Sequence, residues 1–506
     1  MDTIQDFLKI EAFEDIAIHN HKVAIGEHVL RRVEASFDFL KEFSRDKIIY
    51  GVNTGFGPMA QYRIKDEDRV QLQYNLIRSH SSGTGRPLSP LYVRATILAR
   101  LNTLMLGNSG VNPSLIELMK ELLNRDIVPV VFEHGGVGAS GDLVQLAHLA
   151  LALIGEGEVY YKGERKPAKD VFESEGLRPL EIDLREGLAL MNGTSAMTGI
   201  GVVNVYYAKK LLNTSIKCSC AINELVQAYG DHFSKELNEV KRHKGQREVA
   251  ARMRAHLADS TLIRKREEHL YVPENKTEVF KEKVQEYYSL RCVPQILGPV
   301  LETIEKAASV LEDELNSAND NPIIDVESQR VFHGGNFHGD YVSLEMDKLK
   351  VAITKLSMLA ERQLNYLLNS RINELLPPFV NQGTLGLNFG MQGIQFTATS
   401  TTAENQMLSN PMYVHSIPSN NDNQDIVSMG TNAALIAARV IENAFEVLSI
   451  ELITIIQAID ILGQKDKVSA STREMYDHIR EMVPVLKEDK VMYPYIHKVK
   501  EYLINS

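Results

Sequence analysis

The chain has 506 residues, 44% of them hydrophobic and 24% charged, the balance of a folded globular protein with room for two or three structural regions. Its 55 Lys and Arg are outnumbered by 66 Asp and Glu, and a formal net charge of −11 argues against the basic surface a nucleic-acid binder presents to phosphate. Three cysteines, Cys218, Cys220 and Cys292, form no disulfide framework and fit a reducing compartment.

The opening MDTIQDFLKIEAFEDIAIHN has no basic start followed by an apolar core, and no uncharged run is long enough to span a bilayer, so a cytoplasmic chain with no membrane partner is expected. Over the first two hundred residues short helical patterns alternate with glycine-rich loops, YGVNTGFGP at Tyr50–Pro58 and SSGTGR at Ser81–Arg86, where loop chemistry concentrates. A strand-like IVPVVF leads into HGGVGASGDLVQLAHLAL, His134–Leu151, in which four glycines surround Ala139 and Ser140 and a helical run follows. GEGEVYYKGERK then reads as an exposed hairpin turning at Lys162-Gly163. The Cys218-Ser-Cys220 pair lacks further metal ligands and reads as buried thiols. The basic runs Lys241–Lys244 and Arg264–Arg266, interleaved with acids, read as solvated helix faces.

From Gly298 onward long helical periodicity takes over. In the last such segment Arg439, Glu442, Asn443, Glu446, Gln457 and Asp460 fall on one narrow stripe of an otherwise apolar helix, which must be covered on most sides. Running from about Thr431 to Leu462 and closed by Gly463, it is on the order of 50 Å long. A mesh of helices this long points to a bundle core. A bundle core of this kind suits sharing between subunits.

Three readings of the glycine-rich stretch compete. Gly136-Val-Gly138-Ala-Ser-Gly141 matches G-x-G-x-x-G, yet Pro129 interrupts the preceding strand and a hairpin, not a second parallel strand, follows the helix. His134-Gly135-Gly136 with Ser140 suggests a serine hydrolase, but the elbow needs glycine two residues after the serine, and position 142 is Asp, which reads instead as a cap for the following helix. The third reading is self-modification. If the chain bends hard, the Gly141 nitrogen reaches the Ala139 carbonyl carbon, a five-membered ring closes, and loss of two waters, one from the Ser140 hydroxyl, leaves a methylidene-imidazolone. Ala139 is small, Ser140 supplies the leaving hydroxyl, Gly141 has an unhindered nitrogen, and Gly135, Gly136 and Gly138 allow the turns.

Context decides between them. GGVGASGDLVQLAHLAL, YGVNTGFG at Tyr50, SHSSGTG at Ser79, EGLALMNGT ending at Thr194, VQEYYSLRCVPQ at Val284, NDNPIID at Asn319, GGNFHG at Gly334 and NQDIVSMG at Asn423 together resemble the aromatic amino acid ammonia-lyase and aminomutase family over nearly the whole chain. The resemblance implies an all-α fold, with residues 1–205 as an N-terminal catalytic domain carrying the prosthetic loop, 206–405 as a central helical bundle and 406–506 as a helical C-terminal region, assembled as a homotetramer with active sites built from up to three subunits. It also implies a 4-methylidene-imidazol-5-one formed from Ala139, Ser140 and Gly141, with no soluble cofactor and no metal. In that family the substrate amine attacks the methylidene carbon while a tyrosinate takes the β-proton, which is covalent catalysis with a protein-made group.

The resemblance assigns Tyr50 as the base, in a loop whose Gly51, Gly55 and Gly57 fit a lid, with neighbouring donors expected to favour its phenolate. It assigns Arg291 to the substrate carboxylate, with Tyr288 and Gln285 near it on one face if the segment is helical. Asn192 matches a residue that holds carboxylate and prosthetic group, the Asn192 and Gly193 amides acting as an oxyanion hole does. Phe337 matches an aromatic wall, and Glu404 an acid facing the amine or ring. An inactive relative would lack Ser140, Tyr50 or Arg291, and all three are present.

Specificity in the family is associated with the positions occupied here by Ser79 and His80. Phenylalanine enzymes resemble Phe-Leu there and many tyrosine enzymes His-Leu, whereas Ser-His resembles histidine enzymes and one group of bacterial tyrosine enzymes. An imidazole at position 80 serves a phenol or a second imidazole and is left unpaired by phenylalanine. Ser195, Gln406 and Ile426 stand where histidine enzymes usually have Gln, Lys and His. The expected reaction is therefore L-tyrosine to trans-4-coumarate and ammonia, the alternative L-histidine to urocanate. A tyrosine 2,3-aminomutase would use the same site and return the amine to the β-carbon.

Overall fold

The computed structural model describes residues 2–4, 6–271, 278–280 and 283–506. Helices dominate. In chain order those that carry the argument are α1 (Arg69–His80), α2 (Pro90–Met105), α3 (Pro113–Asn124), α4 (Leu143–Leu153), α5 (Glu186–Met191), α6 (Ser195–Leu225), α7 (Tyr288–Arg291), α8 (Val293–Leu315), α9 (Asp340–Leu368), α10 (Gln392–Leu408) and α11 (Gly430–Leu462). Strands are short and pair in twos and threes. Among the described residues no helix is long and apolar enough to cross a membrane.

Local chemistry explains the boundaries. Asn112 accepts the Ser114 N–H at 2.9 Å with Pro113 in the first turn of α3, satisfying a donor that the helix cannot pair internally. α11 ends at Gly463, which takes φ +59 and donates its N–H to Asp460 O, the left-handed cap expected from the sequence. The hairpin is also as expected: Glu158–Tyr161 pairs antiparallel with Glu164–Pro167, turning through Lys162 and Gly163, both with positive φ. Val128–Pro129 joins it antiparallel at the edge of this three-stranded sheet, where a missing proline N–H is tolerated. Among the described residues no parallel β-α-β crossover follows the glycine-rich turn, which argues against a dinucleotide fold.

Two compact units emerge, each assembled from three separate stretches of chain. The first comprises Met1–Tyr206, Lys306–Asp347 and Pro411–Ala438. Its α2 is buried at every residue from Val93 to Met105, including two arginines. Arg94 is satisfied by Leu123 O at 2.7 Å and Ile16 O at 3.1 Å. Beside it Phe37, Leu40, Ile49, Val52, Leu184 and Ile324 form an apolar cluster that brackets Tyr50 in sequence.

The second unit comprises Tyr207–Glu305, Lys348–Asn410 and Arg439–Ser506. Of the predicted polar stripe on α11, Asn443 and Gln457 are buried, and both find partners: Asn443 donates to Asn405 Oδ1 at 2.9 Å and Gln457 to Leu486 O at 2.8 Å. Cys218 and Cys220 are buried free thiols, as expected. The run Lys241–Lys244 is exposed, also as expected, but Arg264–Arg266 corrects the sequence reading. Only Lys265 faces solvent, while Arg264 donates twice to Gln227 Oε1 and Arg266 pairs with Asp231 at 2.7 Å.

Candidate active site

The bend is built where the glycines predicted it, with one exception. Gly135, Gly138 and Gly141 have φ of +126, +77 and +73. Gly136 does not take a positive φ. A Cβ there would press on Gln145 and Thr431 at 2.8–3.0 Å, so its value is close packing. At Gly141 a Cβ would lie 2.0 Å from Gly193 O, because the tripeptide and the Asn192-Gly193 turn run backbone against backbone.

Three distant segments hold this loop. Asn192 Nδ2 donates to Ser140 O at 3.0 Å, and Asp142 N–H donates to Gly193 O at 2.8 Å. Gln424 Nε2 donates to Ser140 Oγ at 2.9 Å, Ser428 Oγ to Gly138 O at 2.9 Å, and Met429 N–H to Val137 O at 3.0 Å. Gly339 N–H donates to Gly138 O at 3.2 Å. Half-buried Phe337 stands two residues before Gly339 on that last segment.

Asp142 does not cap its own helix. Its fully buried carboxylate accepts the Met197 N–H at 2.8 Å and the Thr431 hydroxyl, so it closes the first turn of α6 instead of α4. Burial pushes this carboxyl up to about 6, against the downward pull of the Thr431, Met197 and Ala196 donors. The Asn192 amide corrects a second expectation: its backbone N–H donates to Leu188 O at 2.9 Å, closing α5, and only the side chain of Asn192 reaches Ser140.

Behind the Asn192 turn lies Arg100, fully buried on α2. It donates to Ala189 O through Nε at 3.0 Å, to Asn192 O at 2.8 Å and to Asn319 Oδ1 at 3.0 Å. Burial pulls its guanidinium down to about 10. Asn319 in turn donates to Thr194 Oγ1 at 2.8 Å, and Arg185 and Asp320 form a fully buried pair at 3.0 Å.

Tyr50 sits in a loop anchored on both sides, by Ile49 and Val52 in the apolar cluster. Gly51, with φ +76, packs so close to Leu188 that a Cβ would approach its Cδ2 to 2.2 Å. Gly51 O accepts Gln73 Nε2 at 3.0 Å, and Gln73 Oε1 accepts Leu188 N–H at 2.9 Å. One buried glutamine on α1 thus ties the Tyr50 loop to α5, which ends at Asn192. Tyr50 Oη accepts the Gly57 N–H at 3.1 Å.

At the other end of α1, His80 Nδ1 lies 3.0 Å from Leu76 O and 2.9 Å from Ser79 Oγ. The Leu76 carbonyl can only accept, so it favours the tautomer with Nδ1–H and a free Nε2 lone pair, while the Ser79 hydroxyl can either accept from Nδ1 or donate to it. No hydrogen bond joins Tyr50, His80 or Phe337 to the tripeptide among the described residues.

In the second unit Gln285, Tyr288 and Arg291 line a cavity of about 680 Å³ together with Arg362, Asn365 and Tyr366. The segment is helical only over Tyr288–Arg291, so Gln285 does not share a helix face with Arg291. They meet nevertheless: Arg291 Nη1 donates to Gln285 Oε1, and the guanidinium stands 4.7 Å from the Tyr288 ring centroid. Glu404, on α10, pairs with Arg439 at 3.2 Å. Gln73, Arg100, Gln424 and the α6-capping role of Asp142 escaped sequence reasoning. Arg100 had left a signal, a charge inside the apolar run VRATILARLNTLM.

A long helical frame, an Ala-Ser-Gly loop braced by an asparagine turn, and an arginine–glutamine pocket define a class of enzyme that the comparisons identify. The profile described as aromatic amino acid lyase matches residues 8–481. A histidine ammonia-lyase of Stigmatella aurantiaca is 41% identical, covering 96% of this chain and 93% of that protein. A tyrosine 2,3-aminomutase of Chondromyces crocatus is 39% identical, covering 98% and 94%. The crystal structure of a tyrosine aminomutase from Streptomyces globisporus superposes with a TM-score of 0.95 at 37% identity, covering 99% of this chain and 96% of that one. The chain belongs to the aromatic amino acid lyase family, the carbon–nitrogen lyases and aminomutases that act on aromatic amino acids.

Proposed function

We propose that the chain is a tyrosine ammonia-lyase, releasing ammonia from L-tyrosine to leave trans-4-coumarate, and that Ala139-Ser140-Gly141 cyclises to the family's methylidene-imidazolone. The observation that favours a polar ring over phenylalanine is His80, whose Nδ1 lies 3.0 Å from Leu76 O: with an Nδ1–H donating there, Nε2 is left to accept a phenol O–H. Phenylalanine offers it no donor.

The tripeptide's surroundings fit the prosthetic group. Gly141 has no room for a side chain, Asn192 Nδ2 already faces Ser140 O, and Asn192 Oδ1 is buried without a hydrogen-bond partner among the described residues. When formed, the group supplies an electrophile for the substrate amine that no ordinary side chain provides. In this reading Asn192 and the Gly193 turn hold it from one side and Gln424 from another. Tyr50 removes the β-proton, its oxygen steadied by the Gly57 amide. Arg291 grips the substrate carboxylate, with Gln285 fixing one of its nitrogens and Tyr288 flanking its face. Phe337 walls the ring, and Glu404 faces the amine side. The working form is a cytoplasmic homotetramer, which brings such groups together from different subunits.

Histidine is the second reading, favoured by the 41% identity to a histidine ammonia-lyase. The imidazole N–H of a histidine substrate also donates to His80 Nε2. Against it stand Ser195, Gln406 and Ile426, and similarity to tyrosine 2,3-aminomutases supports a phenol in the pocket. The test is turnover of purified protein with saturating L-tyrosine or L-histidine, read by ultraviolet absorbance, with chromatography for β-tyrosine. Coumarate without urocanate or net β-tyrosine is expected. Urocanate alone refutes the tyrosine assignment, and accumulating β-tyrosine makes the chain a mutase.

A further inference from the structure

We infer that Arg266 is a positioning residue for substrate carboxylate binding, clamping the arm that carries Gln285, Tyr288 and Arg291; this rests on the proposed role of Arg291. The guanidinium is engaged on three sides. Its Nε donates to Asp231 Oδ2 at 2.7 Å, its Nη1 to Val284 O at 2.6 Å, and its Cζ lies over the Tyr229 ring, 4.4 Å from the centroid. Val284 immediately precedes Gln285, so the clamp acts where the arm begins.

The rest of the arm is held by other groups. Lys283 Nζ donates to Tyr366 Oη and Ile372 O, both at 3.0 Å, Gln363 Nε2 to Ser289 O at 2.8 Å, and Asn223 Nδ2 to Leu290 O at 3.4 Å. Of these anchors Arg266 is the one next to Gln285, whose Oε1 sets the guanidinium of Arg291. The Arg266 side chain is 14% exposed and Asp231 50%, so water reaches the pair from the carboxylate side and it is the guanidinium's hold on the Val284 carbonyl that acts on the arm. Lysine cannot replace it. A single ammonium over the Tyr229 ring reaches Asp231 or the Val284 carbonyl but lacks the fork that bonds both.

The prediction is a defect in affinity more than in turnover. In the full-length enzyme Arg266→Lys and the milder Asp231→Asn should raise KM for the amino acid, and the dissociation constant of the carboxylate product measured by calorimetry. The rise should be about tenfold for Arg266→Lys, the scale of one charged hydrogen bond, with kcat within about twofold. Tyramine, which lacks the carboxylate, should inhibit each variant as it inhibits the parent. Unchanged product affinity in both folded variants overturns the inference, as does an equal loss for tyramine. Arg291→Met separates the two layers: if it leaves product affinity intact, the role of Arg291 fails, whereas if it abolishes affinity while Arg266→Lys and Asp231→Asn do not, only the clamp fails. Should histidine prove to be the substrate, urocanate and histamine replace coumarate and tyramine.

Discussion

Arg100 is fully buried and serves three acceptors, Ala189 O, Asn192 O and Asn319 Oδ1, so Arg100→Lys and Arg100→Met remove different things. The fall of its guanidinium to about 10 corresponds to roughly 3 kcal/mol of burial cost carried by the charge. Lysine keeps the buried charge but cannot span three acceptors set around a planar fork, leaving two without donors at about 1–3 kcal/mol each. Methionine leaves all three unpaired yet relieves the cost of the charge. Both variants should therefore lose a few kcal/mol of stability, with methionine no worse than lysine. Activity should fall in both by about 100-fold or more, because Asn192, freed from Arg100, no longer presents Nδ2 to Ser140, and displacement of a supporting group by about 1 Å has effects of that order. Urea melts read the first effect. Turnover, with the near-ultraviolet absorbance of the purified protein as a measure of tripeptide cyclisation, reads the second. An Arg100→Met protein that melts with the parent and turns over within twofold of it would refute the assignment of Arg100 as the support of the Asn192 turn.

Ser140→Ala should fold, since relative to the uncyclised loop it loses only the Gln424 hydrogen bond, worth about 1 kcal/mol, while activity drops by orders of magnitude; near-normal turnover would sink the prosthetic-group reading. His80→Phe should shift preference from tyrosine towards phenylalanine in competition assays, and unchanged selectivity would mean that another residue reads the phenol. His232 is buried with neither ring nitrogen partnered among the described residues, and burial pulls it down to about 4. Its ordinary value is 6.5, so between pH 6.5 and 4 the unfolded chain takes up a proton that the folded one refuses, and stability falls as pH falls through that window by about 3 kcal/mol. Melts of His232→Leu should lose this acid slope; a slope equal to the parent's would place the effect elsewhere.

Much of the frame was legible because helices announce themselves by period and caps. The 33-residue α11 and its Gly463 cap follow from an apolar run with one polar stripe, and the Lys162-Gly163 hairpin from its turn dipeptide. What sequence could not show is which far-off partner a polar group meets. Asp142 reads locally as a cap for α4, yet its carboxylate is claimed by Met197 and Thr431, 55 and 289 residues away. Arg264 and Arg266 read as a solvated run because their charges are dense, while their partners Gln227, Asp231 and Val284 lie in other segments. The interleaving of three stretches in each compact unit has the same origin, since long-range pairing leaves no periodic trace.

The bracing of the tripeptide has a common logic. Positive φ at Gly138 and Gly141 gives a bent loop that nothing local holds, since no helix or sheet ladder runs through Ala139 and Ser140. The restraint comes instead from groups with no role in the proposed chemistry. Gln73 binds the Tyr50 loop to α5, Arg100 binds the end of α5 to Asn319, and Asp142 binds the start of α6 to Thr431 at the start of α11. Each is a buried polar group satisfied by partners on two or more segments, so displacing one segment unpairs a donor or acceptor away from water at about 1–3 kcal/mol. A loop so held resists relaxing to a commoner conformation, and this is what a Gly141 nitrogen directed at the Ala139 carbonyl carbon requires. Substitutions at Gln73, Arg100 or Asp142 should accordingly act on the geometry of Tyr50 and Ser140 without removing any group that touches substrate.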